Sequence, residues 1–224
     1  MRSSVPRKSG AAVVGAVAVV LLLAGCGGGE GDAKASESSG AGATNSASAS
    51  PTSASSTSAP STGGGRPEIT FPATAKNVFE DTKSGDATKD AVLADSALSV
   101  NSIDEAIFKQ STGTKALGYY NAGKALGGSI TYVNGYLKKK DTWIGETRFF
   151  DRKVTLSGAK NASVTYCSDE SKSFIKNRTT GKVDETPTTA NSYVLYHTTL
   201  VKNADGVWQT TDIVSNRGDK ACQP

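Results

Sequence analysis

Histidine is almost absent from this sequence: His197 is the single one among 224 residues. Catalysis by a serine, histidine and acid triad would have to use it, and no G-x-S-x-G turn is present to carry the serine. Zinc sites need several His or Cys ligands close together, and the chain has only three Cys. His197 lies in a segment of β-formers and is interpreted as a hydrogen-bonded strand residue, so no metal and no cofactor is expected.

A concentration of charge of one sign is also missing. The chain has 25 Lys and Arg against 21 Asp and Glu, for a net charge of +4. Nucleic-acid binding needs a concentrated basic face, so a nucleic-acid partner is not expected. The glycine runs at 27–29 and 63–65 lie in low-complexity sequence, so they predict no phosphate-binding loop.

The N-terminal apolar run is too short for a comfortable membrane span. It covers residues 11–24, about 14 residues against the roughly 20 that a spanning helix needs. The basic residues Arg2, Arg7 and Lys8 precede it, and this order is typical of a signal peptide over residues 1–25. A signal-anchor helix is the alternative, but the glycines from Gly25 onward end the run abruptly.

The residues Leu23, Ala24, Gly25 and Cys26 resemble the lipobox of bacterial lipoproteins. That resemblance implies cleavage before Cys26 and two or three acyl chains, palmitate among them, on that residue; two chains already suffice for stable anchoring. It places the protein on the extracytoplasmic face of the cell membrane, with the membrane as a partner through Cys26. A signal peptide with a chance Cys at its end is the alternative.

Residues 26–66 follow as a tether, because beyond Cys26 they are almost entirely Gly, Ala, Ser and Thr. Such a composition buries too little apolar surface to offset the entropy of ordering, so disorder is predicted. About 40 such residues have a random-coil span of roughly 35 Å. A folded domain is expected over residues 67–224. The tether would hold this domain away from the membrane, within reach of a protein or cell-wall partner.

Two cysteines remain after Cys26 is assigned to lipid. Cys167 and Cys222 form an even pair in an extracytoplasmic domain, which predicts a disulfide.

The first half of the domain predicts helices. Pro72 suits the first turn of a helix carrying Ala75, Val78 and Phe79, and a capping-box pattern at Ser102 indicates a helix start there. Apolar spacing predicts helices over 88–98, 115–126 and 129–140, the last two separated at Gly127 and Gly128.

The second half predicts strands over 143–156, 162–167, 193–201 and 207–214, with turns at 180–181 and 203–206. Helices followed by consecutive antiparallel strands predict an α+β domain whose helices pack on one face of a curved sheet.

This order resembles the NTF2-like, or SnoaL-like, cone fold of actinobacterial secreted lipoproteins, with a cystatin-like fold as the rival. The residues that carry the resemblance are Gly145, Tyr166, Cys167, Thr180, Gly181, Lys182, Val183, Gly206, Val207, Trp208 and Cys222. The resemblance implies a pocket between sheet and helices, and often a homodimer, but it selects no chemistry.

A pocket would be lined by one face of each strand. If the even-numbered residues of 144–156 point into the cone, Glu146, Arg148 and Arg152 would enter it, joined by Asp212 from the last strand. The alternative is a bulge that flips this phase, or charges on the wet face of the sheet. The candidate apolar walls are Tyr166, Tyr193, Tyr196 and Trp208, although plain core packing is the preferred interpretation of each.

Two functions follow as hypotheses. The first is a lipid-anchored domain that binds a ligand or partner at the cell surface and catalyses nothing. The second is a secreted cone-fold enzyme that uses a carboxylate base on a small organic substrate, as buried Asp or Glu residues do elsewhere. Burial of Glu146 and Asp212 in a closed apolar pocket would favour the enzyme.

Overall fold

The computed structural model describes residues 65–224, which contain six strands and three α-helices. The signal peptide, Cys26 and nearly all of the tether lie outside the described residues. The elements are β1 (Ala75–Phe79), α1 (Ala87–Phe108), α2 (Lys115–Tyr120), α3 (Gly123–Lys139), β2 (Asp141–Leu156), β3 (Asn161–Asn177), β4 (Val183–Asp184), β5 (Tyr193–Lys202) and β6 (Trp208–Arg217). Among these helices, none combines the length and apolar character that a membrane crossing requires.

The strands form one curved sheet in the order β1-β2-β3-β5-β6, with β4 paired to β3. β1 runs parallel to β2, and every other pairing is antiparallel. The helices pack on one face of this sheet, where Leu93 of α1 joins a core with Val164, Leu200 and Trp208. The architecture is the α+β arrangement that the sequence predicted and that the resemblance to the NTF2-like cone implied.

The predicted helix after Pro72 is wrong, because residues 75–79 form β1. Ala75 pairs with Gly145 and Phe79 with Phe149 in a parallel ladder. Five residues are too few to hold a helix alone, so the available edge of β2 decides their conformation.

The helix predicted to start at Ser102 is also not separate, since α1 runs without a break from Ala87 to Phe108. Its N-cap is Asp86, whose Oδ1 accepts from the backbone N–H groups of Thr88 and Lys89 at 2.8 and 3.0 Å. The Ser102 hydroxyl instead donates to the Ser99 carbonyl within the helix, at 2.7 Å.

The break between the next two helices lies at Asn121 rather than at Gly127 and Gly128, which are inside α3. Asn121 is fully buried, donates to Ser102 Oγ at 2.9 Å and accepts from Ser99 Oγ at 2.7 Å. At the break the Ala122 N–H donates to the Thr210 carbonyl of β6 at 2.9 Å, and the Asn121 side chain donates to the Leu117 carbonyl at 3.0 Å. The glycines, in contrast, cost α3 only about 1 kcal/mol each.

The predicted strands and the disulfide are confirmed. β3 extends well beyond Cys167, to Asn177, and then turns through 180–181 into β4. Cys167 in β3 is bonded to Cys222 in a C-terminal 3₁₀ turn, with Cα atoms 5.5 Å apart. The bond holds the end of the chain against the centre of the sheet.

Candidate functional site

A cavity of about 680 Å³ lies between the helices and the concave face of the sheet. α1 contributes Val100, Ile103 and Asp104, and the sheet contributes residues from β1 to β6. The pairing of β2 with β3 shifts register at two places, between Glu146 and Arg148 and between Phe150 and Lys153, and such irregularities bend a sheet. The cavity therefore forms at the seam between the two layers of the domain.

Asp104 is the polar centre of the cavity. Its Oδ1 accepts from Trp143 Nε1 at 3.1 Å and its Oδ2 accepts from Asn77 Nδ2 at 2.7 Å. Three elements, α1, β1 and β2, thus converge on one carboxyl group. Asn77 Nδ2 also lies 2.9 Å from Asn101 Oδ1, which orients the amide.

Burial raises the pKa of Asp104 to about 7, because removing a carboxylate from water disfavours its charged form. The hydrogen bonds from Asn77 and Trp143 oppose this rise, and the negative charge of Glu170 adds to it. A carboxyl group with such a pKa changes its protonation state near neutral pH. Groups that line a cavity and have a strongly shifted pKa are common in functional sites.

Aromatic rings form the walls of the cavity. Tyr166 stacks on Tyr196 with ring centroids 5.0 Å apart, and Phe149 meets Tyr166 edge-on at 6.0 Å. Burial raises the pKa of both tyrosines, so both phenols are neutral at physiological pH. Trp143 continues this aromatic surface as far as Asp104.

A pair of phenols from α3 completes the lining. Tyr132 and Tyr136 are one helical turn apart, with hydroxyl oxygens separated by 3.2 Å. Tyr132 lines the cavity yet is 54% exposed, so this pair lies where the cavity opens to solvent. The rim also holds Glu170, whose Oε2 is 2.8 Å from Arg217 Nη1.

Two polar atoms on lining residues have no hydrogen-bond partner within the described part of the chain. They are Asn77 Oδ1 and Ser129 Oγ. Buried polar atoms normally find a partner, so both are available to a molecule held in the cavity.

From the start of β2 to Phe150, the even-numbered residues point away from the cavity. The prediction that Glu146 and Arg148 enter the pocket is therefore wrong. Glu146 pairs with Lys76 at 2.6 Å, and Arg148 pairs with Glu80 at 3.1 Å. The odd-numbered residues of β2 line the cavity instead, namely Trp143, Thr147 and Phe149.

The phase changes at Asp151, which has a φ of 54° and lies within the second irregularity of β2. Arg152 consequently points inward and is buried, donating to the Leu93 carbonyl at 2.6 Å and to Ser96 Oγ at 2.8 Å. It contacts α1 and does not line the cavity.

Of the other residues predicted for the pocket, some line the cavity and some do not. Tyr166 and Tyr196 line the cavity, and both also pack in the adjoining core. Trp208 is fully buried in the neighbouring core and Tyr193 is half-buried outside the lining, so neither forms a wall. Asp212 is 43% exposed and lies 3.9 Å from Lys124, outside the cavity.

The central group was missed by sequence reasoning. Asp104 was interpreted as part of a capping box, and Asn77 was placed in a helix that does not exist. Trp143 meets Asp104 across 39 positions of sequence, so no local pattern reports the contact. The spacing of Tyr132 and Tyr136 was the one local signal available.

Within residues 65–224, no cluster of three or more His, Cys, Asp or Glu side chains is arranged to hold a metal ion. His197 is exposed, with Nδ1 3.2 Å from Thr165 Oγ1 on the neighbouring strand. It takes no part in the cavity.

No family model and no curated protein matches this chain. Similar solved structures include a ketosteroid isomerase-like protein from Erwinia carotovora atroseptica, with 13% identity over 57% of this chain and 93% of that chain, and a TM-score of 0.37. Another is the intermembrane-space region of the chloroplast protein ARC6, with 8% identity over 60% of this chain and 99% of that chain, and a TM-score of 0.38. Likenesses of this size transfer no chemistry to the chain.

Proposed function

We propose that this chain is a lipid-anchored extracytoplasmic protein whose folded domain binds a small organic molecule in its cavity. The cavity carries this proposal. Its volume of about 680 Å³ falls in the range of small-ligand sites, roughly 300–1,000 Å³. Aromatic walls together with convergent polar groups, such as Asp104 and Asn77, are also typical of such sites.

The anchor rests on sequence outside the described residues. The lipobox-like residues ending at Cys26 and the Gly, Ala, Ser and Thr composition of 27–66 support a domain tethered to the membrane surface. A tether raises the effective concentration of the domain near a surface partner, either a protein or the cell wall. A homodimer also remains part of the proposal.

A variant that blocks the cavity mouth tests ligand binding. Gly128 lines the cavity where it is exposed to solvent, and a Cβ added there meets no atom within 4 Å, so Gly128→Phe places a ring at the cavity mouth with little strain. Gly127→Phe is the matched control, because Gly127 has the same open surroundings in the same helix but does not line the cavity.

Metabolites and cell-wall fragments would be screened against the detergent-purified chain by thermal shift, since a ligand raises the melting temperature by mass action. We expect at least one compound that stabilises the parent and Gly127→Phe but not Gly128→Phe. If every stabilising compound acts equally on both variants, the cavity is not the binding site and the proposal fails.

Catalysis by a carboxylate base is the second candidate, and Asp104 is the observation that favours it. Its pKa of about 7 suits a general base or acid near neutral pH. The acidic residues first considered for this role, Glu146 and Asp212, are not in the cavity. The same screen, read by product mass, decides between the two functions: turnover lost in Asp104→Asn would establish the enzyme.

A further inference from the structure

We propose that the cavity takes a protonated organic amine with an apolar body, whose ammonium group binds Asp104. This inference rests on the proposed function, because it names the class of ligand that the cavity would hold.

The charge balance of the lining is the first argument. Glu170 is paired with Arg217 at 2.8 Å, while Lys124 is 85% exposed at the rim beside Asp212. Asp104, in contrast, is contacted by two neutral donors, Trp143 Nε1 and Asn77 Nδ2, and by no cation. The interior therefore holds one carboxyl group without a counter-charge.

The free hydrogen-bonding capacity is the second argument. Each oxygen of a carboxylate has more than one acceptor site, and the protein occupies one on each oxygen of Asp104. Asn77 Oδ1, on the residue that contacts Asp104, is a further acceptor without a partner among the described residues. Adjacent unused acceptors match a group with several N–H donors, which a protonated amine has and an alcohol or a carboxylate lacks.

The aromatic walls are the third argument. Trp143, Phe149, Tyr166 and Tyr196 surround the same space, and the negative faces of aromatic rings attract cations. The neutral phenols of Tyr166 and Tyr196 keep this surface uncharged. A carboxylate in a cavity lined by aromatic rings offers an ammonium group two independent electrostatic attractions, and the apolar remainder of the ligand occupies the rest of the volume.

Three probes of similar size test the proposal: 4-phenylbutylamine, 4-phenylbutanol and 4-phenylbutyrate. They have phenylalkyl bodies of nearly equal length and differ in the charge of the head group. Binding to the full chain would be measured by calorimetry at pH 8, where the Asp104 carboxylate is ionised and the amine is protonated. We expect the amine to bind at least tenfold more tightly than the alcohol, and the carboxylate to bind more weakly than both.

Variants assign the preference to its residue. Asp104→Asn should remove the preference for the amine over the alcohol, whereas Asp205→Asn, at an exposed carboxylate outside the cavity, should keep it. If Asp104→Asn fails to fold, the order of the three probes on the parent chain still decides the matter. An alcohol or carboxylate that binds as tightly as the amine overturns the inference.

Different results would overturn the amine assignment and the proposed function. If the alcohol or the carboxylate binds best and Gly128→Phe abolishes that binding, the cavity is a ligand site and only the amine assignment is wrong. If no probe binds, the amine assignment fails, and the compound screen described above still decides the proposed function. If the probes bind and Gly128→Phe leaves that binding unchanged, the cavity is not the site and both fail.

Discussion

The Asp95 carboxylate accepts a hydrogen bond from the backbone N–H of Trp208 at 2.8 Å, although 113 positions separate the two residues. Both residues are buried, at 2% and 0% exposure. The same carboxylate is paired with Arg66, at the point where the chain enters the domain. One acidic side chain in α1 thus joins the start of the domain to its last hairpin.

We expect Asp95→Ala to lower the free energy of unfolding by about 3 kcal/mol, because it leaves a buried backbone N–H without a partner and removes the counter-charge of Arg66. Chemical denaturation measures this loss. Asp205→Asn, in the exposed turn before β6, is the control and should change stability little. A loss in Asp95→Ala no larger than that of the control would contradict the role assigned to this carboxylate.

Gly145 should not tolerate a side chain. Its φ is +99°, and a Cβ there would lie 2.0 Å from the Lys172 carbonyl oxygen of β3. We expect Gly145→Ala to destabilise the domain by several kcal/mol, on the order of 3, since the backbone must shift to relieve the contact. Gly135→Ala in α3 meets nothing within 4 Å and should stabilise slightly, by about 0.5–1 kcal/mol. Equal thermal stability of the two variants would be inconsistent with this geometry.

Reduction of the Cys167–Cys222 bond should lower the melting temperature by several degrees. The bond closes a loop across a sequence separation of 55, which is worth on the order of 4 kcal/mol in the chain-entropy model. The double variant Cys167→Ser, Cys222→Ser should melt lower than the parent and should not respond to reductant. Native protein whose two thiols both react with an alkylating reagent before reduction would end this prediction.

Asp104 should make the domain less stable as the pH rises. Its folded pKa of about 7 lies above its ordinary value of 3.8, so the folded state binds more protons between these values and stability falls with rising pH. The contribution is fully present below about pH 4 and is lost as the pH passes 7.

Urea unfolding of the parent and of Asp104→Asn at pH 4.5 and pH 8 measures this contribution. The shift corresponds to at most about 4 kcal/mol, and the parent should lose more stability than the variant between the two pH values. The difference between the two proteins isolates Asp104, because the other carboxyl groups titrate in both. Parallel pH profiles would show that the carboxyl group is not held in its protonated form.

Cys26→Ser should prevent lipidation. We expect an uncleaved precursor, or protein released into the medium, because in the proposed lipoprotein the acyl chains that would hold the chain at the membrane attach to Cys26. Fractionation and mass spectrometry of the parent and the variant measure this. Parent protein without acyl groups, together with a variant that fractionates identically, would make the lipoprotein prediction wrong.

Local patterns in the sequence were sufficient for most elements of the domain. Alternating β-formers between turn residues predicted β2, β5 and β6, because a strand with one buried face has a period of two. Helical spacing predicted helix over much of α1, α2 and α3, although not where each helix ends. The pairing of Cys167 with Cys222 followed from counting, since one cysteine had already been assigned to lipid.

Tertiary structure decided the rest, because the interactions concerned join residues far apart in sequence. Residues 75–79 became a strand through pairing with β2, and the phase of β2 reversed at Asp151, where an irregularity changes which residues face inward. The site depends on the same effects: Asp104 acquires its raised pKa only when packing of the domain removes its carboxyl group from water, and its two hydrogen-bond donors, Trp143 and Asn77, come from other elements. Burial and hydrogen bonding at that position are properties of the packed domain, whereas the helical and strand periods are properties of the chain.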